Sequence, residues 1–360
     1  MKKIVIVTAA MVAGGAQRVI SQLINEWIKK ENVEITLILT EKMKMFYAVP
    51  TCVNVIEIGR TETNPLKDKV KRYGEIRRII QKGKPDIILS FPEEIGIYVA
   101  LSNIGTGVPI VVSERNNPWV MPNVKITRLL RKISYHFVDG LIFQTERAKS
   151  FFPKIIQKKG IVLANPLELN RIPDPFFGER EKIIVSAGRL ELQKNFALLI
   201  DAFSDFSAKH TDYKMVIYGE GTERDNLQKK INELGLHDRV ELPGTNNNLL
   251  AMINKASLFV LSSDYEGVPN VLIEAMAMGL PVVSTDCEPG GAASLIKNQY
   301  NGLIVPIRDK EKLSDAISYM IDYREEAISM SYNAINVREM YDSETVCKQW
   351  YNYLLELIKN

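Results

Sequence analysis

Short runs of β-branched and other apolar residues alternate, along almost the whole chain, with stretches in which apolar residues return every third or fourth position. The runs read as strands buried on both faces and the stretches as amphipathic helices, so the pattern predicts parallel sheets covered by helices on each side. In the first half it predicts strands over Lys3–Thr8, Val33–Leu39, Asn54–Ile58, Asp86–Ser90, Pro109–Ser113, Gly140–Phe143 and Ile161–Leu163. A second series follows over Lys182–Ala187, Lys214–Tyr218, Val240–Leu242, Leu258–Leu261, Pro281–Ser284 and Gly302–Val305. The remainder reads as helical. Its last helix opens with the capping pair Ser343 and Glu344 and carries Val346, Trp350, Tyr353, Leu354, Leu357 and Ile358 at helical spacing.

Between the two series the alternation fails at NPLELNRIPDPFFGEREK, where Pro166, Pro173 and Pro175 can continue neither a helix nor a central strand. The expected architecture is therefore α/β with two doubly wound, Rossmann-like domains. The first spans residues 1–164, a linker 165–181, the second 182–342, and the C-terminal helix 343–360. A length of 360 residues suits two domains at ~100–200 residues each. Open sheets of this kind bind ligands outside the carboxyl ends of their strands.

Two segments imitate membrane or export signals. The start, MKKIVIVTAAMVAGGAQ, has lysines before an apolar run, but β-branched Ile4–Val7, a Gly14–Gly15 turn and a helical period from Val19 to Ile28 make it strand, loop and helix. Ile95–Ser113 has nineteen residues without a charge, yet Asn103, Gly105, Gly107 and Pro109 break it into a buried helix, a turn and a strand. With 46% hydrophobic and 25% charged residues the chain is neither disordered nor collagenous. Cys52, Cys287 and Cys347 are odd in number and far apart, which fits a reducing cytoplasm better than a disulfide framework or a zinc site. The net charge of +3 hides a division: residues 1–175 hold 27 Lys and Arg against 16 Asp and Glu, and residues 176–360 hold 19 against 27.

Three loops can carry chemistry. Gly14, Gly15 and Ala16 precede the first helix, where small residues and unpaired N–H groups suit an anion, although a plain strand-to-helix turn explains them equally. In IVSAGRLELQKN, Arg189 and Lys194 follow a strand and adjoin a helix start, a placement that can hold a diphosphate; solvated surface charges are the ordinary alternative. In SSDYEGVPNVLIEAMAMGLPVVSTD, Glu266 ends an apolar strand and Glu274 lies within an otherwise apolar helix. A carboxylate is costly to bury there unless bonded, and a ribose diol would satisfy both oxygens; a backbone or Lys partner is the alternative.

Glu266 and Glu274 make an E-x₇-E pair which, with GRLELQKN and the diglycine loop, resembles the retaining family-4 glycosyltransferases of the GT-B fold, two Rossmann-like domains facing across a cleft. The resemblance covers essentially the whole chain and is greatest to bacterial enzymes that build lipid-linked oligosaccharides, capsule or O-antigen. It implies that Arg189 and Lys194 clamp the donor diphosphate, that Glu274 binds the ribose and that Glu266 faces the donor sugar. It further implies backbone contact to the donor from Gly14, Gly15, the turn Gly267, Val268, Pro269 and Asn270, and Gly244 beside the nucleobase, with Gly219 closing its turn. The C-terminal helix is then expected to return to the first domain, which binds the acceptor. One departure stands at SERNNP: many relatives carry a His after the fifth strand, and here Arg115 follows Glu114. Arginine can only donate, so either Glu114 takes the acceptor proton or Arg115 and Asn116 simply orient acceptor or phosphate; a local Arg115–Glu114 pair is an equal alternative.

The implied reaction moves a hexose or N-acetylhexosamine from a nucleotide-sugar, UDP-linked, to a hydroxyl of a lipid-linked glycan, with retention. No second nucleophile is evident, so a front-face path is favoured. There is no D-x-D and the three histidines are scattered, so no metal or other cofactor is expected. Lys67–Lys84 carries eight basic and two acidic residues, with Val70, Tyr73, Ile76 and Ile80 on one stripe and Lys67, Lys71, Arg78 and Lys82 on another. Lys71, Arg78 and Lys82 are acceptor-side candidates, and Arg128, Arg131 and Lys132 extend a surface suited to anionic lipid, which places the protein on the inner face of the cell membrane. Nucleic acid is not expected as a partner, for want of an aromatic-basic motif. A nucleotide-sugar epimerase or hydrolase is the competing class, and an NAD-dependent oxidoreductase is weakened by the absence of G-x-G-x-x-G after the first strand.

Overall fold

The computed structural model describes residues 1–359, in two compact units: residues 1–166 with the helix that begins at Ser343, and Leu167–Asp342. The first unit carries β1 (Lys2–Thr8), β2 (Val33–Leu39), β3 (Asn54–Glu57), β4 (Ile87–Ser90), β5 (Ile110–Ser113), β6 (Gly140–Phe143) and β7 (Gly160–Val162). They form one parallel sheet in the order β3-β2-β1-β4-β5-β6-β7. Between the strands run α1 (Gly15–Trp27), α2 (Pro65–Gly83), α3 (Glu93–Asn103), α4 (Lys125–Ser134), α5 (Glu146–Ser150) and α6 (Lys154–Gln157). Register is fixed at the centre, where β1 sets Lys2 opposite Val33 of β2 and Ile4 opposite Ile87 of β4. Side chains alternate across the sheet, so Ile4 and Ile6 join one apolar layer and Val5 and Val7 the other.

The second unit repeats the plan with β8 (Glu181–Ala187), β9 (Lys214–Tyr218), β10 (Val240–Gly244), β11 (Ala256–Leu261), β12 (Val282–Thr285) and β13 (Leu303–Val305). Their order is β10-β9-β8-β11-β12-β13, again parallel throughout. Its helices are α7 (Phe196–Ser207), α8 (Arg224–Glu233), α9 (Leu249–Ile253), α10 (Asn270–Ala277), α11 (Gly291–Leu295), α12 (Lys310–Asp322), α13 (Arg324–Ala334) and α14 (Val337–Met340). In each sheet the strand order reverses at one place, between β1 and β4 and between β8 and β11. Those two places are where a ligand can enter between the loops.

The stretch expected as a linker belongs for the most part to the second unit. Leu167 and Ile172 are buried in its core, Phe177 stacks on Tyr332 at 4.0 Å, and Arg180 donates to the carbonyls of Asn254 and Ala256. Prolines stop regular structure here without stopping burial. The final helix, α15 (Ser343–Lys359), packs on α1 in the first unit. Trp27 donates its indole N–H to the Cys347 carbonyl at 2.9 Å, and Trp350 donates to Ala164 at 3.0 Å while stacking on Phe91. Both indoles are fully buried with their one polar atom satisfied.

Candidate active site

At the reversal point of the second sheet, the loops after β8 and β11 are laced together. Asp264 donates its N–H to the Gln193 carbonyl at 2.9 Å, Gln193 returns a side-chain bond to the Tyr265 carbonyl at 2.8 Å, and the Ser262 hydroxyl donates to the Lys194 carbonyl at 2.9 Å. Asn195, in the left-handed region at φ 45°, caps α7 through Leu198 N–H and also donates to Asp264 at 2.8 Å. These bonds leave little freedom to Lys194, whose ammonium is paired with the Glu266 carboxylate; Ser263 donates to the same oxygen at 3.3 Å. Arg189 is exposed at the mouth of the β8 loop. Glu274 is buried in α10, within a run of buried Leu272, Ile273, Ala275, Met276 and Ala277. Of the turn before it, Val268 and Pro269 are buried while Gly267 and Asn270 are half-buried.

Two glycines let the neighbouring loops close on this point. Gly219, at φ +143°, lies so near the β8 loop that a Cβ would sit 1.8 Å from the Gly188 carbonyl oxygen. Its N–H donates to the carbonyl of Gly244, itself at φ +86°, so neither position admits a side chain without moving the backbone. The β8, β9 and β10 loops thus form one connected rim, with Leu190 N–H bonded to the Glu220 carbonyl at 2.9 Å. Cys287 is buried after β12, and burial pushes its thiol up to about 12, leaving it unreactive at neutral pH.

The first unit's reversal point is chemically different. Gly14 is the extended N-cap of α1 and Gly15 its first residue. Beyond β4, Glu93 is fully buried at the start of α3, where it accepts from the Arg115 N–H at 3.1 Å and the Asn116 side-chain amide at 2.7 Å. The Arg115 guanidinium lies above Phe91 and Trp350 and donates to Asn165 at 2.5 Å. One of its terminal nitrogens, Nη1, is buried without a hydrogen-bond partner, and burial draws the group down to about 10, so it stays cationic at neutral pH. The alternative of a local Arg115–Glu114 pair is not what forms, because successive residues past a strand end point to opposite faces. Glu114 instead meets the Tyr135 hydroxyl and stands 3.6 Å from Arg131. Burial first, and then the charge of Glu93, pushes its carboxyl up to about 8. Enclosed in that way, Glu114 is not placed to take a proton from an acceptor.

The sequence-based surface of basic residues is also revised. Arg131 is buried, donating to the carbonyls of Met121 and Pro118, and so is not part of it. On α2, Lys71 pairs with Glu62 at 3.0 Å and Arg78 with Glu75, while Lys82 is exposed in the last turn. Val70, assigned to the apolar stripe, is 75% exposed, whereas Tyr73, Ile76 and Ile80 are buried as expected. Sequence reasoning missed Glu93, Asn165, Asn195 and Asp264. Glu93 and Glu94 resemble ordinary first-turn acids of a helix, and only the fold shows that one of them turns inward to hold the loop after β5. Asp264 lies two positions before Glu266 in SSDYEG, and nothing in that spacing marks its bonds to Asn195 and Arg308.

Residues 170–337 match the family model for glycosyl transferases group 1. Over its full length the chain is 27% identical to a Campylobacter jejuni protein, GalNAc-alpha-(1->4)-GalNAc-alpha-(1->3)-diNAcBac-PP-undecaprenol alpha-1,4-N-acetyl-D-galactosaminyltransferase, also covered in full. It is 28% identical, over 99% of this chain and 100% of the other, to a second protein of that organism, N-acetylgalactosamine-N,N'-diacetylbacillosaminyl-diphospho-undecaprenol 4-alpha-N-acetylgalactosaminyltransferase. Among solved structures, Anabaena HepE in complex with UDP and glucose superposes with a TM-score of 0.81 at 17% identity, covering 99% of this chain and 100% of that one. With a glycosyl transferases group 1 match over residues 170–337 and two glycosyltransferase relatives aligned along essentially its whole length, the chain is a glycosyltransferase with the GT-B fold.

Proposed function

We propose that this glycosyltransferase moves a hexose or N-acetylhexosamine from a UDP-sugar, with retention of configuration, to a hydroxyl of a lipid-linked bacterial glycan. The observation that carries the donor half is the laced pair of loops after β8 and β11, which holds Lys194 against Glu266 with Arg189 and Glu274 on the same two loop-helix segments. A nucleotide diphosphate is already a competent leaving group, so the work is to stabilise charge developing on it. In this reading Lys194 and Arg189 take the diphosphate, Glu274 the ribose, and Glu266 faces the sugar, its pairing with Lys194 setting both groups before substrate arrives. The rim at Gly219 and Gly244 offers backbone to the base. Lys194, held in its pair, and the exposed Arg189 supply the positive charge, so the reaction is expected to need no divalent metal. Activity in excess EDTA checks this; abolition reversed by added magnesium or manganese would sink it.

The two Campylobacter relatives are named for undecaprenol diphosphate-linked acceptors, which supports the same class of acceptor for this chain. The Anabaena structure holds UDP and glucose, which supports the donor. Among the described residues no helix is long and apolar enough to cross a membrane, so reaching such an acceptor requires a surface that binds one from the side. The decisive experiment offers a panel of UDP- and GDP-sugars with and without lipid-pyrophosphate glycans, and identifies products by mass and linkage. An acceptor-dependent product with retained configuration is expected. Rapid turnover of donor without acceptor would replace the proposal with a nucleotide-sugar hydrolase or epimerase.

A further inference from the structure

Helix α4 is turned the wrong way round for a helix facing water. Thr127, Arg131 and Ser134 point inward and are buried, while Ile126, Leu129 and Ile133, at i, i+3 and i+7, point outward, and Phe137 just past the helix is exposed as well. Ile126 is 58% exposed and Leu129 53%. An amphipathic surface helix ordinarily buries its apolar stripe.

The row is extended by a loop held beside it. Arg128 donates to the carbonyls of Val120 and Pro122, both at 2.6 Å, and Arg131 donates to those of Pro118 and Met121, both at 2.9 Å. Two cations of the helix are thereby used to fasten residues 118–122 against it. What the fastened loop presents outward is apolar: Val120 and Trp119, with Trp119 edge-on to the half-exposed ring of Phe151 at 5.1 Å. Four hydrogen bonds from two guanidiniums make this a built platform rather than a chance scatter of exposed side chains.

The charges beside it identify the occupant. Lys125, Arg128 and Lys132 form a stripe about 100° around α4 from the apolar row. Lys125 and Lys132 are exposed, with stems long enough to lie along an apolar surface while their ammonium groups stay in water. An outward apolar face with an aromatic side chain, flanked by lysines, is the arrangement that lies in the plane of an anionic membrane, with apolar groups at the acyl boundary and cations among the headgroups. We propose that the face formed by Trp119, Val120, Ile126, Leu129 and Ile133 inserts shallowly into an anionic lipid surface. The apolar platform, rather than the basic helix α2 singled out from sequence, is then the membrane contact. The proposal rests on the membrane-borne acceptor above only for its purpose; the surface itself is carried by α4 and its fastened loop.

The protein contains its own reporter. Of its three tryptophans, Trp27 and Trp350 are fully buried and Trp119 is 42% exposed. The full chain is titrated with phosphatidylglycerol-containing vesicles, with and without bromine on the acyl chains, while intrinsic fluorescence and vesicle co-sedimentation are followed. The expected result is a blue shift and quenching by the brominated lipid. In the variant Ile126→Asp with Leu129→Asp, partitioning should fall at least about tenfold, since each lost apolar side chain removes a transfer contribution of that order. Both positions are exposed, and an unchanged thermal transition verifies the fold. Absence of vesicle binding, binding without quenching, or binding unaltered in the double variant would overturn the proposal. So would a dimer in light scattering that the double variant dissolves, because a second copy would then cover the face. Transfer to a short-chain, water-soluble pyrophosphate glycan, assayed in parallel, tests the acceptor reading without any membrane, so the two can fail separately.

Discussion

The two sheets reverse strand order in the same way, yet the polar residues gathered at the two reversal points have opposite destinies. After β8 and β11, an ammonium and a carboxylate, Lys194 and Glu266, stand paired but part-exposed, fixed by bonds between two loops. After β4 and β5, Glu93, Glu114 and Arg115 are buried and bonded largely to one another's loops, to Tyr135 and to Asn165. Topology alone marks both places as ligand sites. Burial separates them: the second unit's pair stays part-exposed, whereas the first unit's charges are enclosed in bonds to its own side chains and backbone.

That contrast is broken most sharply at Lys194. If the ammonium stabilises charge on a departing diphosphate, Lys194→Ala should lower kcat by about 10²–10³-fold with little change in donor KM. Arg189→Ala should act in the same direction and less, since Arg189 is exposed. A rise in KM with kcat intact would reduce both to ground-state binders. Glu274→Gln serves as the internal contrast: if Glu274 takes the ribose as proposed, losing one charge-assisted bond should raise donor KM about tenfold or more and spare kcat.

The different outcomes also explain what was legible in the sequence. The strands were, nearly to the residue, because central parallel strands are continuous β-branched runs bounded by turn residues. Arg189, Lys194, Glu266 and Glu274 stand out in the sequence because each is a charge at a strand end or in an apolar helix, and the structure pairs Lys194 with Glu266. Glu93 and Asn165 do not stand out, because their work depends on donors far away in sequence, the backbone N–H and the guanidinium of Arg115. Arg131 was misplaced on a basic surface for a related reason. Charge read along one helix says nothing of the carbonyls of Pro118 and Met121 that draw the guanidinium inward. Apolar residues turned outward on α4 escaped notice because the periodicity is the same whichever way the face points.

At the first unit's cluster the expected effects are on folding. Glu93→Ala leaves the Arg115 N–H and the Asn116 amide without their acceptor, and should destabilise the first unit by roughly 1–3 kcal/mol. Chemical denaturation checks this. Nucleotide affinity should be unaltered, because the residues proposed for the donor are on the other unit; a parallel loss of affinity would show that the two reversal points are not independent.

Glu114 refines the same point through pH. Its carboxyl is raised to about 8 in the folded chain, chiefly by burial, from an ordinary value near 4.5. The folded state therefore binds more protons than the unfolded chain between those values, and this group's contribution to stability falls as pH rises through that window. Glu114→Gln should flatten the dependence of Tm on pH between about 5 and 8, with its greatest gain relative to the parent at the alkaline end. An unchanged slope would mean that the carboxylate is stabilised by Arg131 and Tyr135 strongly enough to stay ionised.

The smallest effect is expected on α2, where charge is dense but solvated. The pairs Lys71–Glu62 and Arg78–Glu75 are between exposed side chains, so Lys71→Ala with Arg78→Ala should move Tm by less than about 2 °C. If these residues and Lys82 attract an acceptor's pyrophosphate through the field of the basic half, their removal should raise acceptor KM a few-fold at low salt and by less at high salt. Donor KM should not move. A salt-independent rise would indicate a direct contact, which would make α2 part of the acceptor site instead of a distant source of field. No change at any salt would leave its charges as an ordinary solvated face and shift the whole burden of meeting the membrane to the apolar side of α4.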